Sequence, residues 1–130
     1  MIAAKEVGGD FYDFYKLDKT TVAFLAADVS GKGIPAAMFM MTAKTIIKDL
    51  AESGIPVNEI LTRANEKLCE SNESGMCVTA WMGILDVTTG RLQFANAGHN
   101  PPLLKRRSGE FEYLKTRAGF VLAGDRKSAV

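Results

Sequence analysis

The sequence predicts an α+β domain, and three observations carry that prediction. Two stretches with helical apolar spacing follow one another between residues 35 and 68, and four strand-like stretches follow one another after Gly75. The two kinds of segment stand in separate blocks, where an α/β fold would alternate them. With 130 residues, 47% of them hydrophobic, the chain is long enough to bury one core and too short for two. This composition excludes a disordered or collagen-like chain. No linker, low-complexity segment or internal repeat divides it, so residues 1–130 read as one unit.

Each element has its own signal. Residues 21–27 form a short, nearly continuous apolar run suited to a buried strand, which delivers Asp28 at its C-terminal end. Ser30-Gly31-Lys32-Gly33 supplies a flexible corner. From Pro35, a good first helical residue, apolar side chains fall at Ala36, Phe39, Met40, Ala43, Ile46, Ile47 and Leu50, and Gly54 supplies a stop. Pro56 opens a second helix with Val57, Ile60, Leu61, Ala64 and Leu68 on one side, and the short joint predicts an antiparallel helix pair. Beyond Gly75 the period changes to that of strands at 78–87, 91–97, 103–106 and 111–114, separated by turn residues, which predicts an antiparallel meander.

Several function classes are excluded at this level. The longest apolar runs, 22–27 and 36–41, fall far short of the roughly 20 residues that cross a bilayer. The first six residues lack the apolar core of a signal peptide, so the chain reads as cytoplasmic. Cys69 and Cys77 have no histidine at metal-finger spacing and read as buried free thiols. Acids lean toward the front and bases toward the end. Lys105-Arg106-Arg107 precedes Ser108-Gly109 and reads as a solvated hairpin tip; without aromatic interleaving it does not indicate nucleic-acid binding.

Two constellations carry chemistry. In Gly8-Gly9-Asp10 the glycines permit a tight bend before a carboxylate, which either aims Asp10 into a cleft or forms a turn whose Asp bonds its own backbone. In Asp28-Val29-Ser30-Gly31-Lys32-Gly33 an acid at a strand end precedes a permissive loop, with Asp or Ser as a helix cap the competing reading. Together they gain weight, because Asp10 and Asp28 flank one predicted hairpin and can reach the same end of a sheet. Carboxylates and a backbone carbonyl suit hard divalent cations such as Mg²⁺ and Mn²⁺. Zinc or iron is disfavoured, and the spacing of a P-loop is absent. The single histidine, His99, lies in a Pro-bounded turn where a hydrogen-bonded corner is the commoner role, and no nucleophile elbow supports a Ser-His-Asp triad.

Glu6-Val-Gly-Gly-Asp10-Phe-Tyr-Asp13, Asp28-Val-Ser-Gly-Lys-Gly33-Ile-Pro-Ala-Ala37-Met and Ala95-Asn-Ala-Gly-His99-Asn-Pro-Pro102-Leu resemble, in order, the motifs of SpoIIE/RsbU-type serine phosphatases. These belong to the metal-dependent type-2C protein phosphatase superfamily. The resemblance implies an antiparallel β-sandwich flanked by helix pairs, in α-β-β-α layers. It also implies two Mn²⁺ or Mg²⁺ ions and hydrolysis of phosphoserine or phosphothreonine by a metal-activated water. Carried over by motif, Asp10 and Asp28 are the catalytic, metal-holding carboxylates and the Val29 carbonyl is a backbone ligand. Glu6, Asp13, Gly31 and His99 are supporting residues. The implied partner is a phosphorylated regulatory protein, for example an anti-sigma-factor antagonist.

One departure qualifies the match. Family members continue into an Asp-Gly strand and a final strand with further acids that complete the metal site, whereas Asp125 here precedes Arg126 and lies too early to replace them. The resemblance therefore implies a partial domain lacking its C-terminal part, weakly active or inactive alone, with exposed sheet edges that allow dimerisation. A non-catalytic type-2C-like interaction module is the competing reading, and the presence or loss of the further acids in the full-length protein discriminates the two.

Overall fold

A computed structural model of the chain describes residues 9–70 and 75–114. Strands β1 (Asp10–Lys16) and β2 (Thr21–Val29) form an antiparallel hairpin. Its turn is closed by the Leu17 N–H on the Thr21 carbonyl at 2.8 Å and by the Asp18 side chain, which accepts from the Thr20 N–H at 2.8 Å. Helices α1 (Gly33–Glu52) and α2 (Val57–Glu70) follow, then β3 (Val78–Asp86) and β4 (Leu92–Ala97). The four strands form one antiparallel sheet in the order β1-β2-β3-β4, so the helix pair is inserted between two strands that lie side by side. A small separate sheet is made by β5 (Leu103–Lys105) and β6 (Phe111–Tyr113). The α+β class expected from the segregated blocks is the class of the structure.

Strand periodicity divides the sheet into two unlike faces. Ala23, Leu25, Ala27 and Val29 of β2 point toward the helices, and Phe11, Val78, Ala80, Met82, Ala95 and Ala97 join them from the other strands. Against them lie Ala36, Phe39, Ala43 and Ile47 of α1 and Ile60, Leu61, Ala64 and Leu68 of α2, the same positions that show helical spacing in the sequence. Alternation of alanine with larger side chains on both layers allows close helix-to-sheet approach. Burying side chains such as Ile47 and Leu61 contributes about 1.5–3 kcal/mol each.

The other face is aromatic. Phe24 and Trp81 stack with ring centroids 5.7 Å apart, and Trp81 and Phe94 do the same. The register places Phe24, Gly83 and Phe94 in one row. A Cβ on Gly83 would lie 2.8 Å from the Trp81 ring and 2.9 Å from the Phe24 ring, so the missing side chain is what lets Trp81 lean across the row. Beyond the stack, Pro102 and Leu103 beside the β5–β6 hairpin face Tyr12, Phe14 and Trp81 across a groove of about 470 Å³.

Helix α1 starts two residues before Pro35, and Lys32 stands at its N-cap without a side-chain cap bond. Ser30 does not cap the helix. Its hydroxyl accepts from the Cys77 N–H at 2.9 Å while its own N–H donates to the Cys77 carbonyl at 2.8 Å, tying the corner to the start of β3. At the far end Gly54, with φ +81°, terminates the helix as expected.

The expected meander breaks after β4. Gly98 adopts φ +70° and bridges to Ala80 in parallel, and Pro101 and Pro102 lack the N–H groups a continuing ladder needs. Strands β5 and β6 therefore pair with each other away from the main sheet. The basic run is a hairpin tip: the Arg106 N–H donates to the Glu110 carbonyl at 2.7 Å, and the Arg106 guanidinium pairs with Glu112. Cys69 and Cys77 are free thiols but half-buried, where the sequence reading had them fully buried. Cys77 immediately precedes β3 and Cys69 is the penultimate residue of α2.

Candidate metal and active site

Asp10 begins β1 and Asp28 is the penultimate residue of β2, and the hairpin register sets them directly opposite each other. Both lie on the sheet face turned away from the helices, since their neighbours Phe11, Ala27 and Val29 fill the core. Cross-strand partners stand about 5 Å apart at Cβ, close enough for two carboxylates to repel. A side-chain hydrogen bond to Asp10, then burial, then the Asp10 charge push the Asp28 carboxyl up to about 6. A carboxyl raised by a neighbouring acid inside a cleft is a feature of functional sites.

The backbone supplies a third oxygen. Gly9 follows the register outward from Asp10, its carbonyl accepting from the Val29 N–H at 3.1 Å. A Cβ on Gly9 would approach the Val29 carbonyl oxygen to 2.7 Å, so glycine is what allows this close approach of the two backbones. An all-oxygen set of this kind suits Mg²⁺ or Mn²⁺. No group of three or more His, Cys, Asp or Glu able to hold a metal occurs among the described residues. The described part thus presents two carboxylates and one carbonyl.

A cleft of about 460 Å³ opens over these acids, lined by Asp10, Tyr12, Ala26, Asp28, His99 and Asn100. His99 is held from three sides. Its backbone N–H donates to Asn96 Oδ1 at 2.7 Å, its carbonyl accepts from Asn96 Nδ2 at 2.8 Å, and Nδ1 stands 2.8 Å from the Thr79 hydroxyl. Burial lowers the His99 pKa against the opposing charge of Asp10, so the ring is neutral near pH 7.

The structure therefore brings Asp10, Asp28 and His99 together around one cleft, with Val29 next in the chain to Asp28 but outside the lining. Asp13 is not in this group: by strand parity it lies opposite Leu25 on the helix side of the sheet. Gly31 serves the corner, with φ +96° and room to its side only up to Met76 Sδ, 3.5 Å from where a Cβ would sit. Glu6 and the C-terminal stretch with Asp125 lie outside the described residues. Thr79 and Asn96 were not singled out from sequence. Asn three residues before His in a glycine turn is a readable signal for a side-chain-to-backbone clasp. Thr79 carries no such signal, because only strand pairing brings it beside Asp28.

An antiparallel sheet with a helix pair on one face is a fold shared with solved PP2C phosphatase domains. The fold aligns with the RsbU and RsbW domains of a Mycobacterium tuberculosis protein at TM-score 0.85 and 26% identity, covering 98% of this chain and 36% of that one. It aligns with the SiaA-PP2C domain of Pseudomonas aeruginosa at TM-score 0.75 and 25% identity, covering 94% and 48% respectively. The chain belongs to the Stage II sporulation protein E (SpoIIE) family, whose model matches residues 18–129. That match takes in Asp28, Val29 and His99, while Asp10 enters the site through the hairpin register. Among curated relatives, phosphoserine phosphatase RsbU of Bacillus subtilis is 31% identical over 121 residues, covering 93% of this chain and 36% of RsbU. Phosphoserine phosphatase RsbP of the same organism is 29% identical, covering 82% of this chain and 28% of RsbP. The chain thus spans about a third of the length of these relatives.

Proposed function

We propose that this chain is part of a metal-dependent protein serine/threonine phosphatase that hydrolyses phosphoserine or phosphothreonine on a regulatory protein. The observation that carries this reading is the cross-strand pair of Asp10 and Asp28 lining an open cleft, with Val29 next in the chain. Membership of a family whose relatives are named phosphoserine phosphatases supports it.

In this reading Asp10, Asp28 and the Val29 carbonyl hold Mn²⁺ or Mg²⁺. The chemistry such ions supply is a water acidic enough to attack at neutral pH and neutralisation of phosphoryl charge. The chain's own residues position. The sheet fixes both carboxylates on neighbouring strands through the ladder hydrogen bonds. The cleft is wide enough for a side chain presented on another protein. The substrate class that fits is a phosphorylated signalling protein of the cytoplasm, such as an anti-sigma-factor antagonist. No described helix is long and apolar enough to cross a membrane. The exposed aromatic face of the sheet provides a surface for a second copy.

Titration calorimetry of the chain with Mn²⁺ tests the site. Specific binding that is lost in both Asp10→Asn and Asp28→Asn is the expected result. In the full-length protein, Asp28→Asn is expected to lower phosphoserine-peptide hydrolysis by at least ~100-fold. Unchanged turnover in that variant would remove the assignment.

A further inference from the structure

The cleft contains a polar group that the metal reading leaves without a task. His99 is half-buried and clasped through its backbone by both amide atoms of Asn96, at 2.7 and 2.8 Å. This costs the chain a buried asparagine whose side chain does nothing else among the described residues. Such a clasp fixes the position of the Cα, and the Thr79 contact then fixes the ring.

The Thr79 contact couples the hydroxyl to the ring tautomer, since Nδ1 either accepts from Oγ1 or donates to it. A hydroxyl has one hydrogen to give, and Thr79 Oγ1 is 2.8 Å from His99 Nδ1 but 3.5 Å from the Asp28 carbonyl oxygen. In one arrangement the hydroxyl donates to Nδ1 over the shorter contact; in the other Nδ1–H donates to the hydroxyl, which donates on to the Asp28 carbonyl. Nδ1 of a neutral imidazole that accepts a hydrogen bond leaves Nε2 as the N–H. Nε2 has no hydrogen-bond partner among the described residues, and the ring borders the cleft that also holds Asp10 and Asp28. A neutral donor at this place needs no change of protonation to act.

We infer that His99 is a substrate-contacting residue whose Nε2–H donates a hydrogen bond to an oxygen of the phosphoryl group bound over Asp10 and Asp28, with Thr79 and Asn96 as its positioning residues. This rests on the phosphatase reading and deepens it. Two carboxylates facing a phosphate require compensation, and a neutral N–H donor beside them adds attraction for the anion without competing for a cation as a third carboxylate would. Of the two tautomers, the one with Nε2–H suits an anion, since an Nε2 acceptor would repel a phosphoryl oxygen. The arrangement also explains why Thr79 and Asn96, neither of them charged, converge on one histidine from β3 and β4.

The test compares His99→Leu, His99→Gln, Thr79→Val and Thr79→Ser in the full-length protein with Mn²⁺ present. Three quantities are read: kcat/KM on a phosphoserine peptide, the affinity for inorganic phosphate, and the affinity for Mn²⁺. Gln carries an amide N–H at nearly the reach of Nε2, so it is the conservative replacement. His99→Leu is expected to lose about 10- to 100-fold in kcat/KM, with a parallel loss of phosphate affinity. His99→Gln and Thr79→Ser are expected to recover most of both, and Thr79→Val to fall between. Mn²⁺ affinity stays unchanged throughout. Equal losses in His99→Leu and His99→Gln, or a fall in Mn²⁺ affinity in step with activity, would overturn the donor role in favour of a structural or ligating one. If the wild-type protein binds inorganic phosphate through His99 without hydrolysing the peptide, the phosphatase reading falls and the donor role stands. If it binds no phosphate, the donor role falls as well.

Discussion

Asp28 is the residue on which electrostatics and chemistry meet. Its carboxyl is pushed up to about 6 in the folded chain from an ordinary value of 3.8, so folding favours its protonated form. The stability linked to that proton is fully present below pH ~4 and is lost as pH rises through about 6. In metal-free buffer with a chelator, the thermal midpoint is therefore expected to fall between pH 4 and pH 7 by more in wild type than in Asp10→Asn, which removes the opposing charge. Asp10→Asn should be the more stable of the two at pH 7. Identical pH profiles for the two proteins would show that the acids do not interact. The carboxyl is largely exposed, so solvent screens much of the effect.

At the scale of elements, the decisive feature is how β2 and β3 are used twice. One face of each strand carries the core against α1 and α2, and the other carries Phe24 and Trp81, which stack with each other and with Phe94 of β4, and, one end along, Asp28 and Thr79. Gly83 is the hinge of this arrangement, because Trp81 occupies the space its side chain would fill. Gly83→Ala is expected to destabilise the chain by about 1–3 kcal/mol through overpacking, measured as a shift in urea midpoint at constant slope. The displaced Trp81 should change its fluorescence with it. A neutral midpoint would mean the ring relocates without strain. The site lies at the other end of β3, so Mn²⁺ affinity is expected to persist in this variant.

For the whole molecule, the unequal covering of the sheet matters most. Tyr12 and Phe14 on the aromatic face are 72% and 71% exposed, and Leu103, Phe111 and Tyr113 add further apolar surface. Contiguous exposed patches of this kind mark association surfaces. Concentration-dependent self-association of the chain is expected in sedimentation velocity, and Phe14→Asp is expected to reduce it. A monomer at every concentration, indifferent to Phe14→Asp, would show that the groove beside β5 and β6 shields the face sufficiently. Charge does not oppose association, since the net formal charge is only +1.

The sequence by itself determined the α+β class, the two helices and the strand blocks, because the 3.6-residue and two-residue apolar periods are local properties of the chain. It also brought Asp10 and Asp28 into view, since both stand at glycine-rich ends of predicted strand segments. Element ends were less legible: Pro35 marks a preferred first turn, but α1 begins at Gly33, and Ser30 is tied to Cys77 where the sequence offered it as a helix cap. Only the tertiary structure decided that Asp13 turns away from Asp10, and that the meander breaks at Gly98. It alone joined His99 to Thr79 and showed why Gly9 must lack a side chain. The physical reason is common to all of these. Each depends on strand register and on contacts between residues far apart in the chain, which follow from how the sheet closes around its core and leave no periodic trace in the sequence.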